Sequence, residues 1–204
     1  IDALGGIQGK VADRTQIQTK MLNSSKGPAV QALRVQSDKI LYPKEMRRVL
    51  DNTENLFLLE ALVEEILIED KKAIGVKLYD GTNIYSQTVI ITTGTYLNSR
   101  TLRGHEAKIE GPDGEPTTKG ISEQLARLGF DVVRLKTGTP PRIKTNSIDY
   151  SQASLEPGDK EITNFSFDGK IDNISGQEVP CHLIYTNLEI HQVINDNLEK
   201  SAMY

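Results

Sequence analysis

Apolar and polar positions along this chain change rhythm several times, and each rhythm predicts its own element. Residues 1–15 carry Gly5, Gly6 and Gly9 and read as a glycine-rich lead into a short helix. Over 17–22 the period is two: Ile17, Thr19 and Met21 share one face and Gln18, Lys20 and Leu22 the other, as in a strand. After the loop Ser24-Ser25-Lys26-Gly27-Pro28, a helical stretch is expected to run to about Asn52, with Leu41, Val49 and Leu50 on its buried side. Pro43 fits that stretch if a helix starts there, because a proline at the first helical position loses no hydrogen bond.

From 55 to 97 the character changes. Residues 56–59, 63–69, 73–79 and 88–92 read as four strands, with Asp80-Gly81 as a hairpin turn and Glu69-Asp70-Lys71-Lys72 as a polar one. Val89-Ile90-Ile91 is continuously apolar, as expected of a strand buried on both faces. Beyond Arg100 the chain turns polar, and 111–116 is a loop. Ile121, Leu125 and Leu128 stand at i, i+4 and i+7 with Gly129 as the C-terminal cap, so a helix is predicted over 119–128. A strand over 130–135 follows, then a turn-rich stretch over 145–175 and a strand over 179–185. Ile190, Val193, Ile194 and Leu198 give a final amphipathic helix capped by Thr186 or Asn187.

Composition narrows the class. With 204 residues, 37% hydrophobic, the chain can bury one sizeable core, or one core with an appended subdomain. No apolar run is long enough to span a bilayer, and the start shows no signal-peptide pattern. A single cysteine excludes an internal disulfide and fits a reducing, cytosolic setting. The start at Ile1 reads as that of a fragment or a processed product. The net charge of −4 is unevenly spread: residues 10–48 hold nine Lys/Arg against three acids, and 134–144 hold four cations and no acid. A polyanion could therefore bind locally to a chain that is acidic as a whole.

The string Lys136-Thr137-Gly138-Thr139-Pro140-Pro141-Arg142 is the strongest candidate for chemistry. Pro140-Pro141 forces an extended backbone, and Gly138 permits a positive φ before it. It reads either as a surface turn or as a stiff basic loop at a ligand site, and the similar loop around Lys26 favours the second. Thr93-Gly94-Thr95 follows an apolar run, and ligands sit past the carboxyl ends of strands in open α/β sheets. The unit 63–92 before it has the size of the meander found in two-dinucleotide-domain flavoproteins. The Gly-x-Gly-x-x-Gly fingerprint is absent, so a phosphate-cradling βαβ unit would have to lie before Ile1. Cys181 reads as either a reactive thiolate or an inert buried thiol. His182 is poorly placed as its base, since neighbours in a strand face opposite ways. His105, His182 and His191 show no metal-ligand spacing.

Ordered motifs then point to a family. Asp2-Ala-Leu-Gly-Gly6, Lys26-Gly-Pro-Ala-Val30, Arg34 with Gln36, Leu41-Tyr42, Thr93-Gly-Thr95, the Lys136 to Arg142 string, Phe165-Ser-Phe167, Pro180-Cys181 and Ser201-Ala-Met-Tyr204 resemble the glucose-inhibited division protein A family. The resemblance covers essentially the whole chain. It implies an α/β fold: part of a Rossmann-like FAD-binding domain with a β-meander and an inserted α+β nucleotide-binding subdomain. Residues 1–100 would be the central part of the FAD-binding domain and 101–204 the inserted, NAD-binding subdomain.

The resemblance also implies an activity. Members use FAD, reduced by NADH, and methylenetetrahydrofolate to install a carboxymethylaminomethyl group at C5 of the wobble uridine of tRNA. They work in the cytoplasm with a partner GTPase, and the full-length protein forms a homodimer. On this reading Val63, Gly94, Thr95 and Thr118, where the family usually has serine, approach FAD. The stretch 177–191 aligns with the nicotinamide-nucleotide segment, giving Gln177, Val179, Pro180, Cys181 and His191, with Cys181 also the candidate catalytic residue. Lys26, Arg34, Lys136 and Arg142 are expected to contact anions, either cofactor phosphate or tRNA backbone. The chain reads as a central fragment, expected neither to bind FAD tightly nor to turn over alone. Two alternatives stand beside this reading: a folate- and FAD-dependent tRNA uridine methyltransferase, and a non-catalytic tRNA-binding fragment with exposed apolar surface.

Overall fold

The computed structural model describes residues 1–161, 163–168 and 172–201. The end of the Ser201-Ala-Met-Tyr204 motif, 202–204, lies outside the described residues. In chain order the elements are α1 (Gln8–Arg14), β1 (Gln16–Leu22), β2 (Ala32–Ser37), α2 (Leu41–Asp51), β3 (Val63–Glu69), β4 (Lys72–Leu78), β5 (Asn83–Tyr85), β6 (Thr101–Arg103), β7 (Glu106–Lys108), α3 (Gly120–Arg127), β8 (Ser154–Glu156), β9 (Cys181–Leu183) and α4 (Leu188–Asn195). They fall into two compact units, Ile1–Leu58 with Arg142–Tyr185, and Leu59–Pro141 with Thr186–Tyr204.

The first unit is built on β1. One edge of β1 pairs antiparallel with β2, Thr19 opposite Val35 and Lys20 opposite Arg34. The other edge is satisfied by later chain: Val179 and Asp159 donate their N–H groups to the carbonyls of Ile17 and Thr19, each at 2.8 Å. α1 packs with its Val11 side chain fully buried. The Asp13 carboxylate, also fully buried, accepts the N–H groups of Phe165 at 2.9 Å and Ser166 at 3.0 Å, so its charge meets donors rather than apolar surface. α2 begins where Asp38 accepts from the N–H groups of Ile40 and Leu41 at 2.7 and 2.8 Å. That is the capping geometry a helix start requires. Pro43 sits in the first turn, where no intrahelical N–H bond is owed, and so does not break the helix.

The second unit is a β3-β4-β5 antiparallel meander with α3 against it. Asp70 and Lys71 both take positive φ, 48° and 64°, the conformation of a tight hairpin turn that matches strand twist. Its core is Ile66, Leu78 and Ile121. α3 can approach because Gly120 has no side chain: a Cβ there would lie 2.2 Å from the carbonyl oxygen of Glu64. Gln124 then seals the free edge of β3. Its amide oxygen accepts from the Ile66 N–H at 2.8 Å, and its amide nitrogen donates to the Ile66 carbonyl at 2.7 Å. Gly129, at φ 90°, ends α3 as expected. Asn187 caps α4, accepting from the Ile190 N–H at 2.8 Å.

Several expectations need correction. The predicted helix up to Asn52 begins only at Leu41, because Ala32–Ser37 alternates and is captured as a strand by β1. The third meander strand is Asn83–Tyr85 and not 88–92. Residues 56–59, 88–92 and 130–135 form no helix or strand and pair with no strand among the described residues. Val89-Ile90-Ile91 is accordingly not a strand buried on both faces: Ile90 is 84% exposed. The expected strand over 179–185 shortens to β9, paired with a β8 the sequence did not announce. The β6–β7 hairpin was likewise unannounced. Gly138 takes no positive φ, and its string belongs to no helix or strand. Among the described residues no helix is long and apolar enough to cross a membrane.

Candidate functional site

The four residues expected near FAD all belong to the second unit, and two of them, Val63 and Thr118, are in direct contact. The Thr118 hydroxyl donates to the Val63 carbonyl at 3.2 Å, joining the start of β3 to the segment before α3. Thr118 also forms a parallel bridge with Leu97, and its carbonyl accepts from the Asn98 N–H at 2.6 Å. Leu97 follows the turn over Gly94-Thr95, which the Tyr96 N–H closes on the Thr93 carbonyl at 3.1 Å. Gly94 takes φ 54°, and a Cβ on it would meet nothing closer than the Tyr96 ring at 3.8 Å. The space above Gly94-Thr95 is therefore open to a ligand's close approach. Nearby, Glu115 holds the Tyr96 phenol above its usual range by charge repulsion.

In the first unit Val179 pairs with β1, and the Val179 carbonyl and the Cys181 thiol both meet the Gln18 side chain. The Gln18 amide donates to the carbonyls of Glu156 at 3.3 Å and Val179 at 3.4 Å. Its oxygen accepts from Arg34 at 3.2 Å and faces the Cys181 thiol at 3.6 Å. The thiol also faces the Gln36 amide oxygen at 3.7 Å. His182 turns the other way, its ring edge-on to Tyr150 with centroids 4.6 Å apart. No base stands beside the thiol in these contacts. Gln177 is exposed and Pro180 half-buried, while both backbone groups of Val179 are engaged with β1. His191 belongs to the second unit, on α4, with its ring nitrogen 2.7 Å from the Thr186 hydroxyl.

The four candidate cations differ in setting. Lys26 is exposed in its loop, with its carbonyl and that of Ser24 held by the Gln31 amide. Arg34 is half-buried on β2, its Nε without a partner. Lys136 is exposed in the second unit and Arg142 exposed in the first. Sequence reasoning missed Gln18, Gln36 and Gln124, the side chains that organise these surroundings. The available signal was a run of amides on alternate positions of a strand, at Gln16 and Gln18. Among the described residues no group of His, Cys, Asp or Glu could hold a metal ion.

The family model described as glucose inhibited division protein A matches residues 1–204. The chain belongs to that family. A relative named tRNA uridine 5-carboxymethylaminomethyl modification enzyme MnmG, from Acholeplasma laidlawii, is 55% identical over all 204 residues and is itself covered over 33% of its length. The same-named protein of Onion yellows phytoplasma is 57% identical, again over the whole chain and 33% of the relative. The chain thus spans about a third of the length of the curated relatives it matches. The structure of Aquifex aeolicus GidA in its form I crystal matches all of this chain and 35% of that one, with a TM-score of 0.90 at 38% identity. The α/β fold of this family is therefore the fold of this chain, as the motifs implied.

Proposed function

We propose that this chain forms part of an FAD-dependent enzyme that adds a carboxymethylaminomethyl group to C5 of the wobble uridine in tRNA. The observation that carries this reading is the 55–57% identity, over every residue of the chain, to relatives named for that modification. In the same reading methylenetetrahydrofolate supplies the carbon, NADH the reducing equivalents, and a GTPase and a second copy of the full-length protein complete the cytoplasmic assembly.

The geometry gives this reading local support. FAD supplies redox chemistry when bound. The Gly94-Thr95 turn, with its open space and a Thr95 hydroxyl without a partner among the described residues, fits close contact with a flat ligand. The Thr118 hydroxyl on the Val63 carbonyl ties the start of β3 to the segment before α3. These four residues fit the flank of a dinucleotide site. They do not make its phosphate cradle, for which the chain has no glycine-rich fingerprint. In 177–191 the exposed Gln177 amide is offered to a nicotinamide nucleotide, and Cys181, whose thiol faces Gln18 and Gln36, is the candidate catalytic residue. We assign residues 1–100 to the FAD-binding part and 101–204 to the nucleotide-binding insertion. Lys26, Arg34, Lys136 and Arg142 serve anion contacts.

A flavin absorbance spectrum tests the cofactor. The 204-residue chain mixed with FAD is expected to elute from a desalting column without flavin, while the full-length gene product keeps it. A full-length product that also elutes flavin-free would remove FAD from the reading.

A further inference from the structure

In the second unit Thr117 sits one residue before Thr118, half-buried ahead of α3, and no motif announced it. Its hydroxyl is used to capacity. It donates to the Tyr96 carbonyl at 2.6 Å, and it accepts from the Ser99 N–H at 2.8 Å and the Ser99 hydroxyl at 2.9 Å. A hydroxyl has one hydrogen to give and two lone pairs to fill, so nothing is left for a ligand. These bonds join the chain beside the candidate flavin contacts. Tyr96 follows Gly94-Thr95 directly, and Thr117 leads directly into Thr118, although Tyr96 and Thr117 lie 21 positions apart. The neighbouring backbone repeats the tie: the Asn98 N–H donates to the Thr118 carbonyl at 2.6 Å, and Leu97 bridges Thr118. The Ser99 hydroxyl also lies 3.1 Å from the Glu110 carbonyl, which brings the segment after β7 into the same network.

We propose that Thr117 is a positioning residue of the flavin site. Its hydroxyl touches no cofactor. It fixes the spacing between the Gly94-Thr95 turn and Thr118, so that FAD meets both segments already ordered, without the entropy cost of ordering them on binding. This role rests on the FAD contacts proposed above for Gly94, Thr95 and Thr118, and it adds the group that holds them in register. Valine at this position leaves the Tyr96 carbonyl without this donor and the Ser99 N–H without this acceptor, so the two segments are free to part. Serine keeps all three bonds.

Flavin release from the full-length gene product tests it, read by the rise in FAD fluorescence on dilution and by the visible circular dichroism of the bound flavin. Thr117→Val is expected to release FAD about tenfold faster and to change the flavin's visible dichroism. Thr117→Ser is expected to keep both at wild-type values. Thr101→Val controls for loosening alone: it removes the 2.6 Å bond from Thr101 to the Glu110 carboxylate in the adjoining hairpin and leaves release unchanged. Far-ultraviolet circular dichroism checks the fold of each variant. Should Thr117→Val not fold, Ser99→Ala decides, since it removes one bond to the Thr117 hydroxyl and is expected to speed release about threefold. Wild-type release in Thr117→Val, or in Ser99→Ala where that variant decides, overturns the proposal. Equal acceleration in Thr101→Val, or a serine variant that releases FAD like the valine one, overturns it too. A wild-type full-length protein that holds no flavin removes the FAD reading itself, whereas flavin held equally by wild type and Thr117→Val removes only the role of Thr117.

Discussion

At the scale of single residues, the side chains that matter most are buried amides and acids whose partners are backbone groups. Gln124 satisfies both polar groups of Ile66. Gln124→Leu keeps bulk but leaves a buried N–H and carbonyl unpaired, and is expected to destabilise the second unit by about 3 kcal/mol in urea denaturation. Glu45 is buried between Arg14 at 2.7 Å and Arg48 at 2.7 Å. The Arg48 hydrogen bond holds its carboxyl below the usual range, against the opposing pull of burial. Asp38 is likewise held below its usual range, by the Leu41 N–H first and the Ile40 N–H second. Because the folded value is the lower one, the stabilisation from Asp38 is complete above the ordinary aspartate value of about 3.9 and is lost as pH falls through the folded value. Acid titration by circular dichroism should show α2 loosening in that window, and Asp38→Asn should flatten that part of the curve. The α4 cap was legible, since a polar residue precedes an amphipathic run. The Asp38 cap was not, because the stretch before Leu41 was read as helix.

Elements show why some predicted strands formed and others did not. β3 and β4 met each other across a two-residue turn, so local sequence was enough. Residues 56–59, 88–92 and 130–135 carry strand-like composition, but a strand needs a neighbour to take its N–H and carbonyl groups. Phe57 at 91% and Leu135 at 85% exposure mark the apolar surface left over. Hydrogen exchange on this chain should therefore find the β3 and β4 ladder amides protected and those of 88–92 and 131–135 exchanging at near-free rates. Protection in all of these segments would contradict the unpaired assignment. β2 was missed for the opposite reason: its alternation of Leu33 and Val35 with Arg34 and Gln36 is clear, but its stability comes from β1, and a window read alone does not contain β1. α3 depends on close approach to β3 at Gly120. Gly120→Ala is expected to cost about 1–3 kcal/mol by forcing that contact apart, read as a lower midpoint in thermal melting.

Across the whole molecule, the reach of the sequence was uneven in a way physics explains. Family membership was legible because strings such as Lys136 to Arg142 are long and serve no packing need. The convergence of Gln18, Arg34 and Cys181 was not, since Gln18 and Cys181 lie 163 positions apart and meet only through the fold. The uneven charge, with its cations in 10–48 and 134–144, suits a polyanionic substrate despite the net −4. The measurement that bears most directly on the proposed enzyme is mass spectrometry of tRNA nucleosides from cells lacking the gene for this protein. The expected result is loss of 5-carboxymethylaminomethyl uridine at the wobble position, restored by the full-length gene. Unchanged wobble nucleosides in the deletion strain would contradict the assignment.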